Sequence, residues 1–186
     1  DIDGDGKPDL VTGNNSTNNI SVLWNTSTGP GNITFASPVN FNTASNSYGG
    51  VSLGDFNGDS KLDIASANYS ANTVSVLLNT ARVGTIDASS FAVGNALSLP
   101  AAPTSNSHGV AIGDINGDGK PDIVSSSYSA PIVSVFINTS SNTLNAAFSG
   151  YSAYPTNATS NNNVGNIMSL ADFNNDGMLD ILTANR

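Results

Sequence analysis

Short runs in which every second residue is apolar recur along this chain, and they predict β-strands rather than helices. The clearest of them alternate strictly: Ile20, Val22 and Trp24; Val74, Val76 and Leu78; Val133, Val135 and Ile137. Shorter apolar runs flank an acidic segment. One set precedes it, at 51–54, 110–113 and 168–171; another leaves it, at 10–12, 64–66, 123–125 and 181–183. A less regular fourth strand is expected near 35–41, 91–99 and 148–154. Turns rich in Asn, Ser and Gly separate the runs, and no stretch sustains a 3.6-residue period, so no helix is assigned.

The strands belong to a repeat. The acidic segment reads DIDGDGKPD from Asp1, DFNGDSKLD from Asp55, DINGDGKPD from Asp114 and DFNNDGMLD from Asp172. The opening aspartates are 54, 59 and 58 residues apart. Asn25, Asn79 and Asn138 each lie 24 residues after an opening aspartate, each precedes Thr, and each ends an apolar run. Length variation therefore falls in the second half of each repeat. Four-stranded units at this period predict blades of a β-propeller, twisted antiparallel sheets that bury their faces only against one another. Predicted strand counts of three, four, four and two make about three blades. The expectation is an all-β, repeat-built propeller segment over 1–186, with repeats at 1–54, 55–113 and 114–171 and a partial one at 172–186. Propellers close with four blades or more, so a piece of a larger ring is expected, or an arc completed by other blades or chains. A complete small β-sandwich is the competing architecture, but it would not require four loops in register.

Charge concentrates in the acidic segments. All 14 acidic residues are aspartates, and only Asp87 lies outside positions 1, 3, 5 and 9 of the four loops. Carboxylates packed this closely repel one another unless a cation lies among them. The formal net charge is −9, and four divalent ions would bring it close to neutral. With five Lys and Arg in no patch, nucleic acid is not an expected partner. There is no cysteine, which removes disulfides and thiolate metals. No apolar run approaches the roughly 18 residues of a membrane span. The chain opens directly on a loop and reads as a segment of a longer protein. Weak calcium sites would stay empty at cytosolic calcium levels, so an extracellular, secreted or cell-surface setting is expected.

An oxygen-rich loop suits a hard cation, and Ca2+ is the first candidate, with up to four ions. Side-chain oxygens at positions 1, 3, 5 and 9 are expected to converge. Position 7 offers a backbone carbonyl, so Lys or Met is acceptable there. The candidate ligands are Asp1, Asp3, Asp5, Lys7 and Asp9; Asp55, Asn57, Asp59, Lys61 and Asp63; Asp114, Asn116, Asp118, Lys120 and Asp122; and Asp172, Asn174, Asp176, Met178 and Asp180. Position 9 could bind in bidentate fashion. Gly at position 4 or 6 supplies the positive φ of a tight turn, and Asn175 replaces it at position 4 of the last loop. An EF-hand shares the opening D-x-D-G-D-G but needs Glu at position 12 and flanking helices; position 12 here is Thr12, Ser66, Ser125 and Thr183. Magnesium suits such an all-protein cage less well. Asx-turns without a metal are the alternative reading.

The loops, each preceded by an apolar-Gly-Asp or apolar-Ala-Asp step from the second repeat on, resemble FG-GAP or VCBS-type repeats across essentially the whole chain. The resemblance implies calcium-binding blades like those of integrin α-subunit propellers and bacterial surface proteins. It places calcium in the hairpin between a blade's first and second strands, in a structural role. It also implies that ligands bind the opposite face, here carrying segments 42–48, 105–108 and 157–163. Integrin-like rings have seven blades, and this chain departs from that number.

Little else could carry chemistry. His108 is the only histidine and reads as a surface turn residue. Without Cys, Glu or a second His, no acid–base pair or nucleophilic dyad can be assembled, and Asp87 alone cannot run a glycosidase mechanism. Trp24 reads as core. Tyr69 and Tyr128 fall 14 residues after their loops' opening aspartates and read as repeat packing. Sequons at Asn15, Asn25, Asn32, Asn68, Asn138 and Asn157 are expected by chance at this composition. The chain is expected to be a non-catalytic, calcium-binding segment serving adhesion or display, with a protein or glycan ligand. The alternatives are a lectin-like module and a structural subunit of a surface fibre or layer.

Overall fold

The computed structural model describes residues 1–47, 50–95, 106–156 and 164–185. Thirteen strands and no helix are present among them. The first sheet is β1 (Leu10–Gly13), β2 (Asn19–Leu23) and β3 (Val39–Asn42). The second is β4 (Val51–Gly54), β5 (Asp63–Asn68), β6 (Thr73–Asn79) and β7 (Phe91–Asn95). The third is β8 (Ser107–Gly113), β9 (Asp122–Ser127), β10 (Ile132–Phe136) and β11 (Ser152–Pro155). The last is β12 (Val164–Ala171) with β13 (Asp180–Asn185). Strands pair antiparallel in chain order, giving three-, four-, four- and two-stranded meanders. This is the blade pattern that the alternating apolar positions predict, and the sheets form no closed barrel.

The second, third and fourth acidic segments are each the hairpin between a blade's first and second strands, and the first segment leads into β1. The register closes each hairpin directly: Gly54 pairs with Asp63, Gly113 with Asp122 and Ala171 with Asp180. The fourth strand is shorter than its apolar residues suggest. Phe35 and Phe148 form only isolated bridges to Asn25 and Asn138, and β3 and β11 start further on. In the second blade β7 covers 91–95, and the remainder of the expected 91–99 run lies outside the described residues.

The hydrophobic core lies between sheets. Ile2, Ile20, Val22 and Phe41 of the first repeat pack with Ile64, Leu77, Ile86 and Phe91 of the second. Phe56, Ala65, Val74, Val76 and Leu78 pack with Ile123, Phe136 and Ala146 of the third. Val124, Val133 and Val135 pack with Met168, Leu170 and Ile181 of the fourth sheet. Each cluster thus joins two repeats, as expected of sheets that cannot bury a face alone.

Strict alternation suggests one wet face for each central strand, but β5, β6 and β9 are buried along their whole length. Their alternate residues are small and polar, and hydrogen bonds satisfy several of them. Asn68 Nδ2 donates to Thr73 Oγ1 at 2.9 Å and to Ser75 Oγ at 2.8 Å. Small side chains also let neighbouring blades approach closely. A Cβ on Gly113 would lie 2.6 Å from Leu179 Cδ1 and 3.0 Å from Leu170 Cδ1, and one on Gly54 would lie 2.9 Å from Ile112 Cγ2. Gly54 and Gly113, which precede the second and third opening aspartates, are therefore seam residues.

Candidate metal centre

Position 1 organises each loop. In the second loop Asp55 accepts the backbone N–H groups of Gly58 at 2.7 Å, Asp59 at 3.1 Å and Ser60 at 2.7 Å. Asp114 accepts those of Asp118 and Gly119 at 3.0 and 2.8 Å, and Asp172 those of Asp176 and Gly177 at 3.1 and 2.8 Å. In the first loop Gly6 N donates to Asp1 at 2.9 Å. Position 5 turns its carboxylate to the N–H of position 7, at 2.9, 3.0, 3.0 and 2.8 Å for Asp5, Asp59, Asp118 and Asp176. Positions 4 and 6 both have positive φ in every loop. The residues are Gly4 and Gly6, Gly58 and Ser60, Gly117 and Gly119, and Asn175 and Gly177. The expected glycine signature is thus a requirement at two positions, and Ser60 adopts it at φ 66° without a glycine.

Position 9 does more than the sequence suggests. Both oxygens of Asp63, which is fully buried, accept backbone N–H groups, from Phe56 at 2.9 Å and Asn79 at 2.8 Å. Asp9 does the same with Ile2 at 2.7 Å and Asn25 at 2.8 Å, and Asp122 with Ile115 at 2.9 Å and Asn138 at 2.8 Å. Asp180 accepts from Phe173 at 3.0 Å. Asp9, Asp63 and Asp122 thus tie position 2 of the loop to the end of the blade's third strand. Each keeps lone pairs for a cation. Burial pushes the Asp63 carboxyl up to about 6, against the lowering effect of its two N–H donors.

The lysines at position 7 turn their ammonium groups away from the carboxylates in two loops. Lys61 Nζ donates to Ala81 O at 3.0 Å and Lys120 Nζ to Ser140 O at 2.8 Å. Lys7 instead pairs with Asp5 at 3.1 Å, which holds the Asp5 carboxyl below its usual range. Met178 lies against Gly117 of the preceding loop.

The first loop brings three carboxylates together. Asp1, Asp3 and Asp9 each offer an oxygen within 4.8 Å of the others, the one such group of three among the described residues. Asp3 is 3% exposed, and its Oδ2 has no hydrogen-bond partner among the described residues. Burial, with the charges of Asp5 and Asp9, raises its pKa. An orphaned, buried carboxylate oxygen facing two more carboxylates is the chemistry a hard cation completes. Asp5 stands apart from this group, engaged by Lys7.

The other loops carry Asn at position 3. Asn116 and Asn174 turn their amides to Asp118 and Asp176, at 3.1 and 3.0 Å. Asn57 reaches across to Thr143 O of the next blade at 2.7 Å, while its Oδ1 accepts Asp59 N at 3.2 Å. Position 3 is therefore oxygen-bearing in every loop but differs in what holds it.

Sequence reasoning noted Asn25, Asn79 and Asn138 only as register marks. Their side chains grip the loops. Asn25 Nδ2 donates to Pro8 O at 2.7 Å, Asn79 to Leu62 O at 3.0 Å and Asn138 to Pro121 O at 3.0 Å. Asn79 also donates to Ile2 O at 2.7 Å and Asn138 to Phe56 O at 3.0 Å, each across a blade boundary. The constant 24-residue spacing was the available signal.

Asp87 accepts Ser89 N and Ser89 Oγ at 2.8 and 2.6 Å, so it heads a turn. At the strand ends remote from the loops, Tyr69, His108 and Tyr128 meet edge to face, with ring centroids 5.2–5.9 Å apart. The equivalent tyrosines do pack against each other, as expected, and His108 joins them rather than standing in a surface turn. Of the expected ligand-face segments, Tyr48, Ser105 and all of 157–163, with the Asn157 sequon, lie outside the described residues.

No curated protein and no solved structure matches the chain significantly. The sequence family described as FG-GAP-like repeat matches it three times, over residues 1–66, 55–125 and 114–183.

Proposed function

Since the chain belongs to the FG-GAP-like repeat family, we propose that its four acidic loops bind Ca2+ and that the ions brace an extracellular β-propeller segment. The observation that carries this reading is Asp3. A carboxylate 3% exposed, with an unpartnered Oδ2 beside Asp1 and Asp9, is costly unless a cation sits among them. In the other loops positions 1, 5 and 9 are Asp and position 3 is Asn, on a backbone wound into the same turn. Calcium would supply the positive charge. The N–H groups of positions 4 to 7 orient the carboxylates, and position 9 fastens the loop to the sheet.

FG-GAP repeats are generally non-catalytic, and the described residues assemble no acid–base or nucleophilic pair. No helix among them is long and apolar enough to cross a membrane. The broader role is adhesion or display, with a protein or glycan partner at the strand ends opposite the loops. The part-buried Tyr69, His108 and Tyr128 rings at that end favour a lectin-like version of this role, and binding to a saccharide array would support it.

The test is calcium removal. Titration of the EDTA-stripped protein should show uptake of several ions, up to four. Stripping should lower the melting temperature by many degrees, because a ligand at 100 times its Kd adds about 2.7 kcal/mol per site. An unchanged melting temperature would refute the metal reading.

A further inference from the structure

Neighbouring loops are joined by a continuous run of hydrogen bonds, and it passes through the proposed ligands. Asp9 accepts Ile2 N at 2.7 Å; the carbonyl of Ile2 accepts Asn79 Nδ2 at 2.7 Å. The backbone N–H of Asn79 donates to Asp63 at 2.8 Å, and the other oxygen of Asp63 accepts Phe56 N at 2.9 Å. Phe56 O then accepts Asn138 Nδ2 at 3.0 Å, and Asn138 N donates to Asp122 at 2.8 Å. Asp122 accepts Ile115 N at 2.9 Å. The same step, from position 9 through position 2 to the next blade's Asn and its own position 9, occurs twice in register.

We propose that Asn79 and Asn138 are positioning residues that make cation binding in adjacent loops cooperative. The inference rests on the calcium reading. Ile2 and Phe56 each sit between two loop ligands, at positions 1 and 3. A cation that draws these ligands together fixes the peptide plane between them, and with it the direction of the carbonyl that the neighbouring Asn receives. Asn79 and Asn138 are 1% exposed, so an amide that loses this carbonyl has no water to replace it. Its second donor hydrogen bonds its own loop at position 8, and its Oδ1 accepts Ala81 N or Ser140 N at 2.8 and 2.9 Å. The Asn is therefore set only when both loops are set. Filling one loop orders part of the next, and the second ion meets a smaller ordering cost.

The experiment follows loop-resolved occupancy in the full chain by NMR. The amide signals of Asp59 and Asp118 are recorded as CaCl2 is added to EDTA-stripped protein. In the unaltered chain the two loops should fill together. Asp118→Ala, which disables the third loop, should weaken calcium binding at the second by roughly fivefold or more. The first loop, two blades away, should be affected less. In Asn138→Ser the second and third loops should titrate independently, and adding Asp118→Ala should then leave the second loop unchanged. A role for Asn138 limited to holding its blade together would lower stability without removing this dependence. If Asn138→Ser fails to fold, the Asp118→Ala comparison alone still decides whether coupling exists. Loops that fill with calcium but ignore each other would overturn the coupling alone. If no amide responds to calcium, both the calcium reading and the coupling fall.

Discussion

Asn79 donates its backbone N–H to Asp63 across 16 residues, at 2.8 Å, and the carboxylate it holds is fully buried. Burial outweighs that bond and raises the Asp63 pKa from 3.8 to about 6. The folded state thus holds this proton more tightly than the unfolded chain. The resulting stabilisation is complete below pH 3.8 and is lost as the pH rises through about 6. It amounts to about 3 kcal/mol at most. Asp3 acts in the same direction, while the lowered values of exposed Asp87 and half-buried Asp5 change stability only as the pH falls below 3.8. EDTA-stripped protein should therefore melt higher at pH 5 than at pH 7. The increment from added calcium should grow over the same window, as protons stop competing. Melting curves with and without calcium test both, and Asp63→Asn should flatten the metal-free profile.

Ser60 holds a left-handed φ of 66° where the equivalent positions are Gly6, Gly119 and Gly177. Replacing it with glycine removes side-chain strain and keeps the N–H bond to Asp55. Ser60→Gly should stabilise by about 0.5 kcal/mol. Gly119→Ala should cost about 1 kcal/mol by the same argument. Urea unfolding of the two variants would expose any departure from these opposite signs.

Gly113 is limited by its neighbours rather than its dihedral. A Cβ there would lie 2.6 Å from Leu179 Cδ1, so Gly113→Ala should cost about 1–3 kcal/mol through overpacking. Adding Leu179→Ala should recover part of the loss, since it removes the clashing methyl group. Equal losses in the single and double variants would show that the contact is not limiting.

Lys120 is predicted to be dispensable for the cation. Its ammonium donates to Ser140 O at 2.8 Å, and the last loop has Met178 at the same position. Lys120→Met should lower stability by about 1 kcal/mol while the number of calcium ions bound stays the same. Loss of an ion, counted by calorimetry, would show that the bond from Lys120 to Ser140 O is needed to shape the site.

Strand number and order were legible because apolar side chains recur with period 2 and the acidic loop marks the first hairpin of the second, third and fourth blades. Val74, Val76 and Leu78, or Val133 and Val135, can serve only one sheet face at a time, and the structure puts them in the cores between blades. The loop backbone was legible from Gly and Asn at positions 4 and 6. The burial of Ser66, Ser75 and Ser125 was not, because a small polar residue reads as surface until the next blade covers it. The bonds from Asn79 to Ile2 and from Asn138 to Phe56 were equally hidden. They span 77 and 82 residues, and no local pattern reports which carbonyl a periodic Asn will meet. The brace at position 9 was missed for a related reason. A carboxylate in an acidic loop suggests a ligand, whereas one of the two N–H groups that occupy Asp63 comes from Asn79, outside the loop.

Because every hydrophobic cluster is shared by two repeats, the unit that is copied along the chain is not the unit that folds. Inserting one further whole repeat would add one strand set and one new seam, with both sides already complementary. Inserting half a repeat would leave an uncovered apolar face and an Asn with no carbonyl to meet. The architecture can therefore lengthen only in full steps, and variation within a step is confined to the stretch after the third strand.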